Sequence, residues 1–210
     1  MITKRELAEQ ILLALGRTDP SHRVHRREVE LLVGQVRDEL LVAEYFERLS
    51  QDIREIPAEW VSAFPGVAVE RDAVRQRDFV ALPIEPLRLP GDVGLFSIAP
   101  MADEFAAYVP TRPGDLSLLR NHAAFQLEGR VGYWREMGSL DQPGRVLFQS
   151  AIRGLSPTVL VQLVAPAASI AASAPFPISG HMQPKIFDLV RQRLASKPAP
   201  DLTADNRDQA

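Results

Sequence analysis

HRREVELLVGQVRDELLVAEYFERLS, His25 to Ser50, is the most strongly patterned stretch of the chain. Val29, Leu32, Val33, Val36, Leu40, Ala43 and Phe46 recur at three- and four-residue steps, while Arg27, Glu30, Arg37, Glu44 and Glu47 occupy the other sides. That period belongs to a helix and not to a strand, because side chains three and four positions apart stack on one helical face. The spacing predicts one long amphipathic helix. Leu31, Leu41 and Val42 widen its apolar stripe beyond what a single partner covers, so this helix is expected to be the spine against which the rest is arranged.

Immediately before the spine, Thr3 stands three residues ahead of Glu6, the spacing of a capping box. A first helix should start there, bury Leu7, Ile11, Leu12 and Leu15, and end at Gly16 in a left-handed conformation. The short linker Arg17 to Arg23 predicts that the two helices fold back on each other as a hairpin. After Ser50 the texture changes. Pro57, Pro65, Pro83, Pro86, Pro90, Pro100, Pro110 and Pro113 interrupt short apolar runs at a spacing that helices do not survive. GVAVERD followed by AVRQRDFVAL predicts a β-hairpin turning near Arg71 to Ala73. Further strands are expected in Ala123 to Gly129, Arg130 to Met137, Arg145 to Gln149 and Thr158 to Val164. No crossover-length helical pattern separates them, so the sheet should be antiparallel, or a small sandwich. Ala165 to Ile178 reads as an extended connector. Met182, Ile186, Leu189, Val190 and Leu194 then predict a final amphipathic helix, capped by Ser179 with Pro184 in its first turn. Beyond Ser196 the tail has only Leu202 as a large apolar group and cannot order itself. The expected organisation is α+β: a helical hairpin at 1–56, an antiparallel β module at 57–165, and a connector, helix and flexible tail at 166–210. That last segment is expected to act as an assembly arm, with Met182, Ile186, Leu189, Val190 and Leu202 as interface residues.

Composition restricts the chemistry. The chain has 210 residues, 24 basic against 27 acidic, for a formal charge of −3, which gives no global attraction to nucleic acid or anionic membrane. With no cysteine there is no disulfide, thiolate metal site or cysteine nucleophile. The charged N-terminus and the lack of a membrane-length apolar run predict a protein made and kept in the cytoplasm. His22 and His25 near Asp19 are metal-ligating residue types, but their spacing matches no known site. His122 and His181 are isolated. Ser179-Gly180-His181 lacks the glycine flanks of a nucleophile elbow. Gly129 and Gly132 lack the third glycine and the lysine of a phosphate loop, and a bulge or turn explains them better. Asp38, Glu39, Asp103 and Glu104 show no sign of pairing in an apolar pocket. No catalytic residue, cofactor site or metal site is therefore expected. A helix-turn-helix reading, with Arg26 and Arg27 at the start of the second helix, conflicts with that helix's length and acidic second half. A nucleic-acid-binding or regulatory module using the Arg23, Arg26 and Arg27 cluster stays open as the alternative.

The succession TKRELAEQILLAL, REVELLVGQVRDELL, EIPAEWVSAF, ALPIEPLRLPGDVGLFSIAPM, LEGRVGYW, VLVQLVAP and PFPISGHMQPKIFDLV, over about residues 3 to 195, resembles virion structural proteins of tailed bacteriophages. The likeness is to head-to-tail connector or ring proteins of crAss-like phages and their relatives, in segment order and not in a diagnostic motif. The resemblance implies a non-enzymatic subunit of the virion, made in the host cytoplasm and assembled as a ring next to the portal. Its implied partners are copies of itself, the portal and other connector or tail proteins, and, non-specifically, the DNA passing through.

Overall fold

The computed structural model describes residues 2–16, 26–103, 106–112, 131–138 and 143–195. The protein is α+β, and the chain divides into two compact units: Met1–Leu40 with the described part of Ala171–Ala210, and Leu41–Ile170. These are called unit 1 and unit 2. The unit edges fall at 40 and 170, where the sequence had placed segment edges at 56 and 165.

Unit 1 is helical. α1, Lys4–Ala14, opens with the expected capping box: the Glu6 amide donates to Thr3 Oγ1 at 3.1 Å and the Thr3 amide donates to Glu6 Oε2 at 2.8 Å. Gly16, at φ 63°, ends it in the left-handed region that side chains with a Cβ resist. α2 runs over Arg26–Ser50, so the spine is a single helix. Its buried positions are Val29, Val33, Gly34, Val36 and Arg37 in unit 1 and Leu41 and Tyr45 in unit 2, whereas Leu32 and Leu40 are half-buried and Phe46 is exposed. α3, Met182–Ala195, buries Met182, Ile186, Val190 and Leu194 and packs against α1, which contributes Leu7, Ala8 and Ile11. Each such side chain removed from water stabilises by about 1.5–3 kcal/mol.

Residues 171–177 are bonded into unit 1, contrary to the expectation of a weakly anchored connector. Thr3 bridges Pro175, the Arg5 amide donates to the Ala172 carbonyl at 3.0 Å, and the Phe176 amide donates to the Ile2 carbonyl at 3.0 Å. Phe176 is itself buried. With α3 covered on its apolar face, the described part of the expected arm is packed. The sequence underestimated it because backbone bonding to a segment more than 160 residues away leaves no local pattern.

Unit 2 is a two-sheet sandwich. Its strands are β1 (Ser62–Ala68), β2 (Glu70–Asp72), β3 (Arg77–Ala81), β4 (Leu95–Pro100), β5 (Val109–Pro110), β6 (Gly132–Glu136), β7 (Arg145–Phe148) and β8 (Thr158–Leu163). One sheet has the order β1-β8-β4, wholly antiparallel; the other has the order β2-β3-β7-β6-β5, with β5 joining β6 in parallel. The second sheet is thus mixed, a detail the antiparallel expectation lacked. The two sheets share one core, in which Val80, Val146, Phe148 and Tyr133 meet Ile98, Val159, Val161 and Leu163. Tyr108 and Tyr133 each set a ring edge-on to Phe148, with centroids 5.2 and 6.3 Å away. The predicted hairpin is β2 and β3, but its turn is Ala73 to Gln76, since Arg71 and Asp72 pair with Asp78 and Arg77.

Gly132 is the first residue of β6, and the β6–β7 register runs without a shift from Tyr133 to Glu136, so a regular strand start stands where a bulge or turn was expected. A Cβ there would come within 2.8 Å of Thr111 Cγ2 and 2.9 Å of Gln149 Oε1, and this crowding, not backbone conformation, is what favours glycine. The Ala123 to Gly129 strand lies outside the described residues.

Candidate functional site

Register assigns the side chains of the five-stranded sheet to its faces. Phe79 lies opposite Leu147 and Leu147 opposite Trp134; Ala81 lies opposite Arg145 and Arg145 opposite Glu136; Arg77 lies opposite Asp72. Directly opposed residues share a face, so Asp72, Arg77, Phe79, Trp134, Glu136, Arg145 and Leu147 all belong to the face turned away from the shared core.

Leu147 is fully buried at its centre, with Phe79 and Trp134 on either side. Two guanidiniums overlie the rings: Arg145 is 5.6 Å from the Phe79 centroid and Arg77 is 5.1 Å from that of Trp134. Arg77 is further held by donating to the Gln149 carbonyl at 3.1 Å. Arg145 is the hub of the charges. Its Nε donates to Glu136 Oε2 at 2.9 Å and its Nη1 to Asp72 Oδ2 at 3.3 Å, while Arg75 pairs with the other oxygen of Glu136. Asp72 Oδ1 closes the circuit by accepting the Val74 and Arg75 amides, both at 2.9 Å. Asp72, Arg145, Glu136 and Arg75 therefore form a ring of alternating sign.

Electrostatics follow from these contacts. Burial pushes Glu136 upward, but the hydrogen bonds and charges of Arg75 and Arg145 outweigh it and hold the carboxyl below its ordinary value. The Arg75 amide does most to lower Asp72, helped by the Val74 amide and Arg145. Nearby, Arg135 pairs with Glu85, whose Oε2 also accepts the Gly144 amide at 2.8 Å.

Two other charges are buried for structural reasons. Asp78 points to the opposite face of the sheet, where Oδ2 accepts the Ile152 and Arg153 amides at 2.7 and 2.8 Å and Oδ1 accepts from Arg71 at 3.0 Å. Burial raises its pKa, yet these donors win and leave it depressed. Arg37, fully buried in unit 1, donates from Nε and Nη2 to the Pro177 carbonyl and from Nη1 to Asp38, with its guanidinium 5.6 Å from the Phe176 ring. Burial lowers its pKa and Asp38 opposes that. Both charges hold a remote segment in place.

The residues singled out from sequence are dispersed. Met182, Ile186 and Val190 are fully buried and Leu189 is half-buried, so most of the apolar surface offered for an interface is already covered within the chain. Leu202, His22, His25, Asp19, Arg23, His122, Gly129 and Glu104 lie outside the described residues. Arg26 is ion-paired with Glu9 and Glu30, each at 3.5 Å, and Arg27 is exposed. Glu39 pairs with Arg193, and Asp38 with Arg37. Among the described residues no group of three or more His, Asp or Glu is placed to hold a metal, and no helix is long and apolar enough to cross a membrane. Sequence reasoning missed the outer face because its members come from four strands. The signal within reach was the alternation Arg77-Asp78-Phe79-Val80, which puts an arginine and an aromatic on one face. No protein-family model matches the chain, and neither does any curated protein.

Proposed function

We propose that this chain is a non-enzymatic structural subunit that assembles with copies of itself, and that it serves as a ring component of the head-to-tail connector of a tailed-phage particle. The observation that carries the assembly reading is the outer sheet face. Arginine, tryptophan and phenylalanine are the side chains in which protein interfaces are enriched, and here Arg77, Arg145, Trp134 and Phe79 gather on one surface of unit 2. The ionised clusters also support a structural role, since each one ties separate elements together. Placement in the connector, beside the portal and around passing DNA, rests on the sequence resemblance alone. A nucleic-acid module built on Arg23, Arg26 and Arg27 has less support, because Arg26 is paired with Glu9 and Glu30.

Native mass measurement over a range of protein concentrations tests assembly: a closed oligomer of many copies is expected, weakened by Trp134→Ala with the monomer still folded. A chain that stays monomeric at every concentration, and is missing from purified particles, would sink the proposal.

A further inference from the structure

The turn Ala73 to Gln76 has an unusual set of attachments. All four residues are exposed, and the one large apolar side chain, Val74, is 93% exposed and points away from the sheet. Nothing apolar holds the turn. Beyond its hairpin backbone and the bond that the Gln76 side-chain amide donates to the Ala73 carbonyl at 2.6 Å within the turn, its ties to the sheet are ionic: Asp72 to Arg145 and Arg75 to Glu136, with the Asp72 carboxylate also accepting the turn's own amides. Glu136 lies on β6, separated from the hairpin by β7. The side chains of Asp72, Arg75 and Arg145 must therefore reach across the outer face, above Phe79 and Leu147, to meet.

We infer that the Asp72–Arg145–Glu136–Arg75 ring is an electrostatic latch that holds the β2–β3 turn over the outer face and keeps the Phe79–Leu147–Trp134 strip covered until the latch is loosened. Arg145 serves both purposes. It covers Phe79 only while Glu136 and Asp72 hold it there. Half-exposed ion pairs are screened by salt, and at 1 M the screening length falls to about 3 Å, so the turn should lift at high ionic strength while the apolar core beneath stays closed.

Acid acts in the same direction. Glu136 and Asp72 are both held below their ordinary values, so the latch is intact at neutral pH and is lost as pH falls below about 4, the ordinary carboxylate range. The other charged groups on or beside this face are Glu70 on β2, Arg77, which is held by Gln149 and Trp134, and Glu85, which is held by Arg135 and the Gly144 amide. Arg77 and Glu85 have partners outside the ring, and Glu70 is exposed, so none of the three replaces a ring member. The latch is a property of the isolated chain and does not depend on the connector reading.

Hydrogen–deuterium exchange on the full chain, read at peptide level, tests it. Raising NaCl from about 0.05 M to 1 M at pH 7 should speed exchange of the peptides covering 72–76 about tenfold, while those covering Val80, Val146 and Val161 hold their protection. Arg75→Ala, a change at an exposed turn position that the fold tolerates, and Glu136→Gln should each speed the turn at low salt and shrink its salt dependence, the Asp72–Arg145 pair being all that is left to screen. Acrylamide quenching of tryptophan should rise in both variants, with Trp134 responsible, since Trp60 is fully buried. Turn exchange that ignores both salt and the two substitutions overturns the latch. So does a turn that opens only together with the β3 and β7 amides.

Discussion

Arg37 in unit 1 and Asp78 in unit 2 are both buried ions, and they are satisfied by different means. The arginine spends two of its donors on one carbonyl, that of Pro177, and another on the adjacent carboxylate of Asp38. The aspartate is met by two backbone amides and one guanidinium converging on its two oxygens. In the helical unit, a long side chain reaches out of a regular element and pins an irregular segment. In the sheet unit, an irregular segment turns its amides toward a short side chain on a regular strand. The difference lies in what titrates. A guanidinium keeps its charge at any pH the protein meets, whereas a carboxylate surrenders its own in acid.

The largest expected effect strips both units of charge considerations. Phe148→Ala removes the ring against which Tyr108 and Tyr133 are set, and should cost about 3–5 kcal/mol, read as a lowered denaturation midpoint. Next is Arg37→Leu, which leaves the Pro177 carbonyl and the Asp38 carboxylate short of donors and should cost about 3 kcal/mol. Urea midpoints at pH 7 read the loss, and an unchanged midpoint would mean that the Pro177 carbonyl and Asp38 find other donors. Asp78→Asn should cost about 2 kcal/mol at neutral pH, because the amide keeps one acceptor for two backbone donors. Here the sign follows from the depressed carboxyl: its contribution is present above the unfolded value near 4 and lost as pH falls through the native value. Urea midpoints from pH 7 to pH 3 should therefore converge for wild type and Asp78→Asn, and parallel curves would count against this account. The smallest effect belongs to Arg193→Ala, whose partner Glu39 is mostly exposed; a change within about 0.5 kcal/mol is expected in thermal melts.

What could be read from the sequence was local. The Thr3 and Glu6 box, the Gly16 stop, the single long helix, the β2–β3 hairpin and the apolar face of α3 depend on neighbours a few positions apart, and each has a counterpart in the structure. What could not be read was set by distance along the chain. Arg37 belongs to the charged side of a helical wheel, and the Pro177 carbonyl that accepts two of its donors lies 140 residues on. Asp78 depends in the same way on amides 74 and 75 residues away. The outer face needed the registers of four strands at once, and a two-residue strand such as β5 carries no periodicity at all.

The bridge between Thr3 and Pro175 also sets an order of events at birth. Unit 2 is one uninterrupted run of chain, so every residue it needs has left the ribosome by about the time Ile170 does. Unit 1 is drawn from two stretches that flank unit 2 in sequence: α1 and the first half of α2 emerge before it and must wait for α3, which emerges after it. At about 5–20 residues per second, that wait lasts about 8–30 seconds, during which α3 is not yet there to cover Leu7, Ala8 and Ile11 of α1. A nascent-chain binder meeting this protein would find its target in the first 40 residues, and release would coincide with the arrival of the last helix.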